Sequence, residues 1–282
     1  MTQVIHEISR LRAQLATHRS QAQSIGFVPT MGNLHDGHMD LMRACKQGCD
    51  ISVASIFVNP MQFGPNEDFD AYPRTLDADL AKLSEQRVDY LFAPTVREMY
   101  PDGVNTQIEV PSLGNILDGA SRPGHFTGVA TVVAKLFNIV QSDVAYFGLK
   151  DYQQLAVIKR MVSDLLLPIQ IEGVPTGRAP DGLALSSRNG YLTDAERSIA
   201  PVIYQTLCWA AEQIRNGNLD YGMIEREAGK KITASGLKLD YIEIRCAQNL
   251  TAPGHSQKQL VILAAAYLGR ARLIDNLELI AP

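Results

Sequence analysis

The residues best suited to chemistry lie together in the run Pro29-Thr30-Met31-Gly32-Asn33-Leu34-His35-Asp36-Gly37-His38. Two imidazoles three residues apart, where a glycine loop turns into a helix near Met39, can face the same way. Their N–H groups can then follow negative charge as it grows on a phosphate oxygen. Backbone N–H groups and the positive end of a helix dipole at the same point favour the same anionic ligand. The spacing Gly32-x-x-x-x-Gly37 is that of a P-loop, yet His38 and Met39 stand where a P-loop carries Lys and then Ser or Thr. The loop is therefore not a P-loop, and its histidines are expected to stabilise transition-state charge. A metal reading ranks behind. Two histidines need a third ligand, no H-E-x-x-H or Cys-His cluster supplies one, and only Asp36 is at hand as a substitute.

A strand must end just before this loop and a helix begin just after it. Short apolar, β-branched runs at 24–29, 51–58, 88–92, 144–147 and 169–174 suit strands covered on both faces. Between them, 41–48, 75–86, 129–141 and 152–167 carry helix-period apolar positions, with Thr127 or Gly128 opening the third. The alternation predicts an α/β fold, a Rossmann-like doubly wound parallel sheet. Pro175, Gly177, Pro180 and Gly182 then crowd together, which places a domain boundary at 174 and divides the chain into 1–174 and 175–282. In the second part, Thr193-Asp194-Ala195-Glu196 is a capping box expected to open one long helix to Arg215, ended by Asn216-Gly217-Asn218, with a second helix after it. Strands at 239–244, 259–267 and 271–279 complete a smaller C-terminal α+β domain.

Composition narrows the function classes. The 282 residues carry 26 Lys plus Arg against 30 Asp plus Glu, a formal charge of −4, with no basic run to hold a nucleic acid. The apolar fraction of 46% suits a globular core, no run approaches a membrane span, and the start, Met1 to Ile8, lacks a basic stretch followed by an apolar one, so a cytoplasmic protein is expected. Cys45, Cys49, Cys208 and Cys246 form no C-x-x-C pair and read as reduced thiols. Small-molecule chemistry is the expectation that remains.

His35-Asp36-Gly37-His38 resembles the H-x-G-H signature of the nucleotidyltransferase superfamily that includes class I aminoacyl-tRNA synthetases. The whole run from Pro29 to His38 is similar to that of the pantothenate synthetase family. Further matching segments are Phe57-Val58-Asn59-Pro60-Met61-Gln62-Phe63, Tyr72-Pro73-Arg74, Arg122-Pro123-Gly124-His125-Phe126-x-Gly128-Val129, Gly148-x-Lys150-Asp151-x-Gln153-Gln154 and Asp181-Gly182-Leu183-Ala184-x-Ser186-Ser187-Arg188-Asn189. H-x-G-H alone marks only the superfamily, whereas the segments together, in order, mark the family.

The resemblance implies ATP-driven condensation of pantoate with β-alanine through a pantoyl adenylate, in a homodimer, with Mg2+ carried by the ATP phosphates. It implies catalytic roles for His35, His38, Lys150 and Arg188. Lys150, after a predicted strand end, suits the α-phosphate, while Ser186, Ser187 and Arg188 suit the outer phosphates. Met31, Gly32, Asn33, Leu34, Asp36 and Gly37 are expected along the nucleotide, as are Gly148, Leu149, Asp151, Gly177 and Leu185, with Asp151 on the ribose. Gln62 and Gln154 are expected on pantoate, since an amide donates and accepts without repelling a carboxylate. Met31, Phe57 and Phe63 would form the apolar wall, although core packing explains Phe57 equally well. Arg122 and His125 suit either a substrate-side contact or a tight turn. Asp77 and Asp79 can assist magnesium, though a solvated helix face is the simpler account, and no protein metal ligand is assigned. Gly177 stands where the family commonly has a bulkier apolar residue. The rival functions are an adenylyltransferase of the same fold acting on a phosphate acceptor, a nucleotide sensor without turnover, and a metal hydrolase.

Overall fold

Phe27 and Val28 are neighbours on one strand, point to opposite faces of the sheet, and are both fully buried. That strand therefore needs cover on both sides. In the computed structural model, which describes residues 1–65, 67, 69–254 and 256–282, the cover comes from helices on either face of a six-stranded sheet. The strands are β1 (Gln3–Ile5), β2 (Ile25–Thr30), β3 (Ile51–Ile56), β4 (Tyr90–Phe92), β5 (Val144–Gly148) and β6 (Gln170–Val174). They are ordered β1-β4-β3-β2-β5-β6, and all pairs are parallel. The chain runs outward one way from β2 through β3 to β4, then resumes on the other side at β5. β2 and β5 thus flank the switch point at which open α/β sheets bind ligands beyond their carboxyl ends.

The helices of this part are α1 (Ile8–Ser20), α2 (Asp36–Gly48), α3 (Leu76–Glu85), the short α4 (Val96–Met99), α5 (Pro111–Gly114) and α6 (Asp118–Ser121), then α7 (His125–Val140) and α8 (Tyr152–Asp164). Met39, Met42 and Cys45 of α2 pack with Val28, Ala54 and Leu91 on one face. On the other, Phe137 of α7 meets Phe27 and Phe147 edge-on at 6.5 and 6.3 Å. The apolar pattern did not reveal α1, whose buried residues are only Leu11 and Leu15, nor the three-residue β1. α7 opens at His125, not at Thr127 or Gly128, because Gly124 at φ 82 turns the chain into the helix two residues earlier.

The second part contains α9 (Asp194–Ile199), α10 (Val202–Arg215), α11 (Tyr221–Ala234) and the antiparallel meander β7 (Lys238–Cys246), β8 (Gln259–Leu268) and β9 (Ala271–Ile280). The Thr193 capping box is present, with Glu196 Oε2 accepting the Thr193 N–H at 2.8 Å. The single long helix expected from it is instead two, since Pro201, which has no N–H to donate, interrupts it. Leu207, Ala211 and Ile214 of α10 and Ile224 and Ile232 of α11 pack with Ile262 and Ala264 in a core of their own.

Two compact units result. Met1–Leu149 with Val157–Pro175 form one, and Lys150–Ala156 with Thr176–Pro282 form the other. Lys150 and the first turn of α8, which carries Gln154, thus group with the second unit, whereas a boundary at 174 assigns them to the first. No helix among the described residues is long and apolar enough to cross a membrane.

Candidate active site

The glycine loop leaves β2 in a conformation that few residues tolerate. Gly32 has φ 84 and Asn33 φ 50, and a Cβ on Gly32 would stand 3.1 Å from both Asp79 Oδ2 and Ile56 Cγ2. What holds the loop is Asp79 of α3, 1% exposed. Its Oδ2 accepts the Asn33 N–H at 2.9 Å and the Thr75 hydroxyl at 3.1 Å, and its Oδ1 accepts the Leu34 N–H at 2.8 Å. Lys82, one turn on, donates to the Leu34 carbonyl, and the Gly32 N–H is directed to Thr30 Oγ1 at 3.2 Å. Asp79 is therefore not part of a solvated helix face, although Asp77 is exposed. The N–H groups of residues 32–34 are engaged inside the protein, so the candidate donors to an anion are those of the helix entrance that follows.

At that entrance His35 is the N-cap of α2, with extended backbone angles. The His38 N–H donates to the His35 carbonyl at 2.8 Å, while the His35 N–H donates back to His38 Nδ1 at 3.2 Å. An Nδ1 that accepts carries no proton in the neutral ring, so this bond assigns the His38 hydrogen to Nε2. The two rings lie 4.1 Å apart, centroid to centroid.

Gln62 is the last residue of a 3-10 turn, Pro60–Gln62, that follows β3. Its side chain is gripped from one end: Asn59 Nδ2 donates to Gln62 Oε1 at 3.2 Å and to the Gly128 carbonyl at 3.1 Å, and the Tyr100 hydroxyl donates to Asn59 Oδ1 at 2.9 Å. The other end, Nε2, points at Met31 Sδ. The turn lies so close to α7 that a Cβ on Gly128 would run into the Met61 carbonyl and stand 2.7 Å from the Gln62 nitrogen. Two further residues hold the Gln62 carbonyl: His125 Nδ1–H donates to it at 2.8 Å and Arg122 approaches at 3.4 Å. Arg122 also donates to His125 Nε2 at 3.0 Å and pairs with both oxygens of Glu67 at 2.6 Å. His125 thus gives through Nδ1 and accepts through Nε2, as only the neutral ring can. Burial, and then the charge of Arg122, hold its pKa down to about 4. Phe57 is buried and meets Tyr100 at 6.2 Å, while Phe63 stands edge-on to Phe69 and Tyr72 at 5.3 and 5.8 Å.

The second unit carries the groups that the sequence analysis expects on the phosphates. A hairpin is closed by Leu185 N–H to the Gly177 carbonyl and Ala179 N–H to the Leu183 carbonyl, both at 2.9 Å. It delivers Ser186 to the N-cap of a 3-10 turn, Ser187–Tyr191, where Ser186 Oγ accepts the Arg188 N–H at 3.3 Å. A hydroxyl that accepts in this way still has its own hydrogen to donate. Lys150, Ser186, Asn189 and Asp275 line one pocket in this unit, and Lys150 Nζ lies 3.8 Å from Asp151 Oδ1.

The sequence matches the family described as pantoate-beta-alanine ligase over residues 3–278. The chain belongs to the pantoate–β-alanine ligase family. It is 59% identical over 277 residues to a pantothenate synthetase of Pseudomonas fluorescens, covering 98% of this chain and 97% of the other. It is 56% identical over 275 residues to one of a Marinomonas species, covering 97% and 98%. Among solved structures, pantothenate synthetase from Thermus thermophilus superposes with a TM-score of 0.92 at 45% identity, over 98% of this chain and 99% of that one. A pantoate–β-alanine ligase from Francisella tularensis, complexed with β-γ ATP and β-alanine, gives 0.83 at 40%, over 98% and 97%.

Within this ligase fold the residues read from the sequence fall into two groups. Met31 to His38, Gln62, Gly148 and Leu149 belong to the first unit, while Lys150, Asp151, Gln154, Gly177, Leu185, Ser186, Ser187 and Arg188 belong to the second. Arg122 and His125, left open between substrate contact and turn, bind the Gln62 carbonyl. Asn59 and Tyr100, which orient Gln62, were not singled out. Asn59 is visible within the Asn-Pro-Met-Gln motif, but Tyr100, 41 residues further on, had no local signal. Among the described residues no group of three or more His, Cys, Asp or Glu is placed to hold a metal.

Proposed function

We propose that this ligase condenses pantoate with β-alanine at the expense of ATP, by way of a pantoyl adenylate, releasing pyrophosphate and then AMP. The observation that carries the reading is the hydrogen bond from His35 N–H to His38 Nδ1, in a chain that matches the ligase family over residues 3–278. It presents Nε2–H as a fixed donor at a helix entrance, where charge on a transferring phosphate would be met.

In the first step the pantoate carboxylate attacks the α-phosphorus in line and pyrophosphate departs. Negative charge then builds on the non-bridging oxygens and on the leaving group, and the groups assigned to it are His35, His38, Lys150 and Arg188, with Ser186 and Ser187 as hydroxyl donors. The role of Gln62 follows from its present partner. Thioether sulfur is a weak acceptor, so a hydroxyl or carboxylate oxygen of pantoate would replace Met31 Sδ at Gln62 Nε2 with gain, and the neutral amide would not repel the nucleophile. Gln154 is assigned to the same substrate. In the second step the neutral amine of β-alanine attacks the acyl carbon and AMP leaves. An acyl adenylate hydrolyses readily, so excluding water between the steps matters.

Magnesium enters this scheme with ATP, held mainly by its phosphates, because Asp79 is engaged by the loop N–H groups. A homodimer in the cytoplasm completes the proposal, on the strength of the family resemblance, and sedimentation at micromolar concentration tests the dimer. The reaction itself is tested by exchange of labelled pyrophosphate into ATP without β-alanine. Exchange that requires pantoate supports the adenylate, and folded protein with no such exchange refutes it, leaving a sensor. Adenylyl transfer to a phosphate compound instead would identify the rival transferase.

A further inference from the structure

β9 buries two adjacent polar residues, Asp275 and Asn276, which are 6% and 7% exposed. Buried polar side chains are costly unless hydrogen-bonded, and each of these is bonded to a different segment of the phosphate-side set. Asp275 receives both terminal nitrogens of Arg178, at 2.6 and 2.8 Å. Arg178 stacks on Tyr204 at 3.7 Å, donates to the Gly182 carbonyl at 3.0 Å, and pairs through its backbone with Ala184. It therefore clamps the hairpin that leads to Ser186, Ser187 and Arg188. Asn276 reaches the other way, its Nδ2 donating to the Lys150 carbonyl at 2.9 Å. The Asn276 N–H donates to Asp275 Oδ1 at 2.8 Å, so the two anchors are locked to one another. Tyr152 reinforces the second, its hydroxyl lying 2.7 Å from Glu278 Oε1, also on β9, and 2.9 Å from the Ala247 carbonyl.

One dipeptide of β9 thus holds the backbone of both phosphate-side segments, and Lys150, Ser186, Asn189 and Asp275 line one pocket. We propose that Asn276 is a positioning residue for adenylate formation, acting through Lys150. Its amide sets where the Lys150 backbone stands beside the hairpin that Asp275 holds, and hence where the ammonium can meet the α-phosphate. A long side chain carries any displacement of its backbone out to its charged tip. A misplacement of about 1 Å can cost on the order of a hundredfold in rate. The inference rests on the proposed contact of Lys150 with phosphate.

Four proteins test it in pantoate-dependent pyrophosphate exchange: the parent, Asn276→Ala, Lys150→Ala and the double variant. Lys150→Ala is expected to be slow, and Asn276→Ala to lower the parent rate about tenfold, a partial misplacement on the scale above. In the Lys150→Ala background the same change should matter less than about twofold, because the group it positions is gone. Equal losses in both backgrounds overturn the inference and leave the Lys150 assignment standing. Parent-like exchange by Lys150→Ala overturns that assignment, and the inference with it. Asn276→Asp keeps the shape but presents an acceptor to the Lys150 carbonyl, and serves as the second variant if Asn276→Ala does not fold. The same loss of effect without Lys150 is expected, and an undiminished effect refutes the inference.

Discussion

The neutral ring of His125 makes acid stability a sensitive test of how Gln62 is held. A histidine in an unfolded chain titrates near 6.5, whereas burial and the neighbouring Arg122 hold His125 at about 4. The folded value is the lower one, so the unfolded chain takes up the proton first. The associated stability is complete above about pH 6.5, and is lost as pH falls toward the folded value. Between pH 7.5 and 5.0 the loss from this one group comes to about 2 kcal/mol by linkage, and it approaches about 3 kcal/mol below pH 4.

The groups facing His125 do not blur this window. Although burial pulls the Glu67 carboxyl upward, its hydrogen bond and charge contact with Arg122 hold it below its ordinary value, so it stays ionised at pH 5.0. His125→Asn is the reference protein, since its side-chain amide can still donate to the Gln62 carbonyl but has no proton to gain. Urea unfolding followed by circular dichroism, at pH 7.5 and 5.0, should show the parent losing about 2 kcal/mol more than the variant. Imidazole nitrogen shifts should show His125 still neutral at pH 5.0 in the folded parent. Parallel losses in the two proteins, or a His125 that protonates near pH 6.5 while folded, would refute the reasoning.

Three other substitutions probe the remaining contacts. His38→Ala should slow pantoate-dependent exchange about 10²- to 10³-fold, the usual loss for one transition-state donor, with an unchanged circular dichroism spectrum; a loss of under about threefold in single turnover defeats the assignment. Asp79→Asn turns one of the two loop acceptors into a donor, leaving a loop N–H unmet at a cost of about 1–3 kcal/mol. Thermal unfolding should show the loss, and exchange should slow; a variant as stable and as fast as the parent would mean that Asp79 does not hold the loop. Gly128→Ala forces α7 and the Pro60–Gln62 turn apart, costing about 1–3 kcal/mol, and should raise the KM for pantoate more than that for ATP. Equal changes in both would mean that Gln62 had not moved.

The sheet was legible because each central strand is a short apolar run between helices, and five of the six strands announced themselves in that way. The sixth, Gln3–Ile5, is too short to show a pattern. The Thr193 capping box marks where a helix opens but not where it ends, and Pro201, which removes the N–H that a continuous helix needs, divides α9 from α10. Thr127 and Gly128 both suit a helix opening, since threonine and glycine are favoured at an N-cap, but Gly128 does not open the helix. It lies one turn inside α7, where the absent side chain admits the Met61 carbonyl. In each case a local rule met a tertiary contact that outweighed it.

The site divides along the same line. His35, His38, Lys150 and Arg188 attract attention by type, since an imidazole or a cation in a glycine-rich frame suggests chemistry without reference to anything distant. Asp79 sits 46 residues from the Asn33 N–H it accepts, and Asn276 lies 126 residues from Lys150, so neither partnership leaves a local spacing to find. What remains visible is an anomaly of context. A carboxylate and an amide in succession inside Leu273-Ile274-Asp275-Asn276-Leu277 break an otherwise apolar run of residues, and burying them is tolerable only with partners supplied from elsewhere in the fold. Such a break locates a polar anchor without saying what is anchored. Under the role proposed for Lys150, the partner at the far end, the Lys150 backbone carbonyl, is what makes the anchor bear on catalysis.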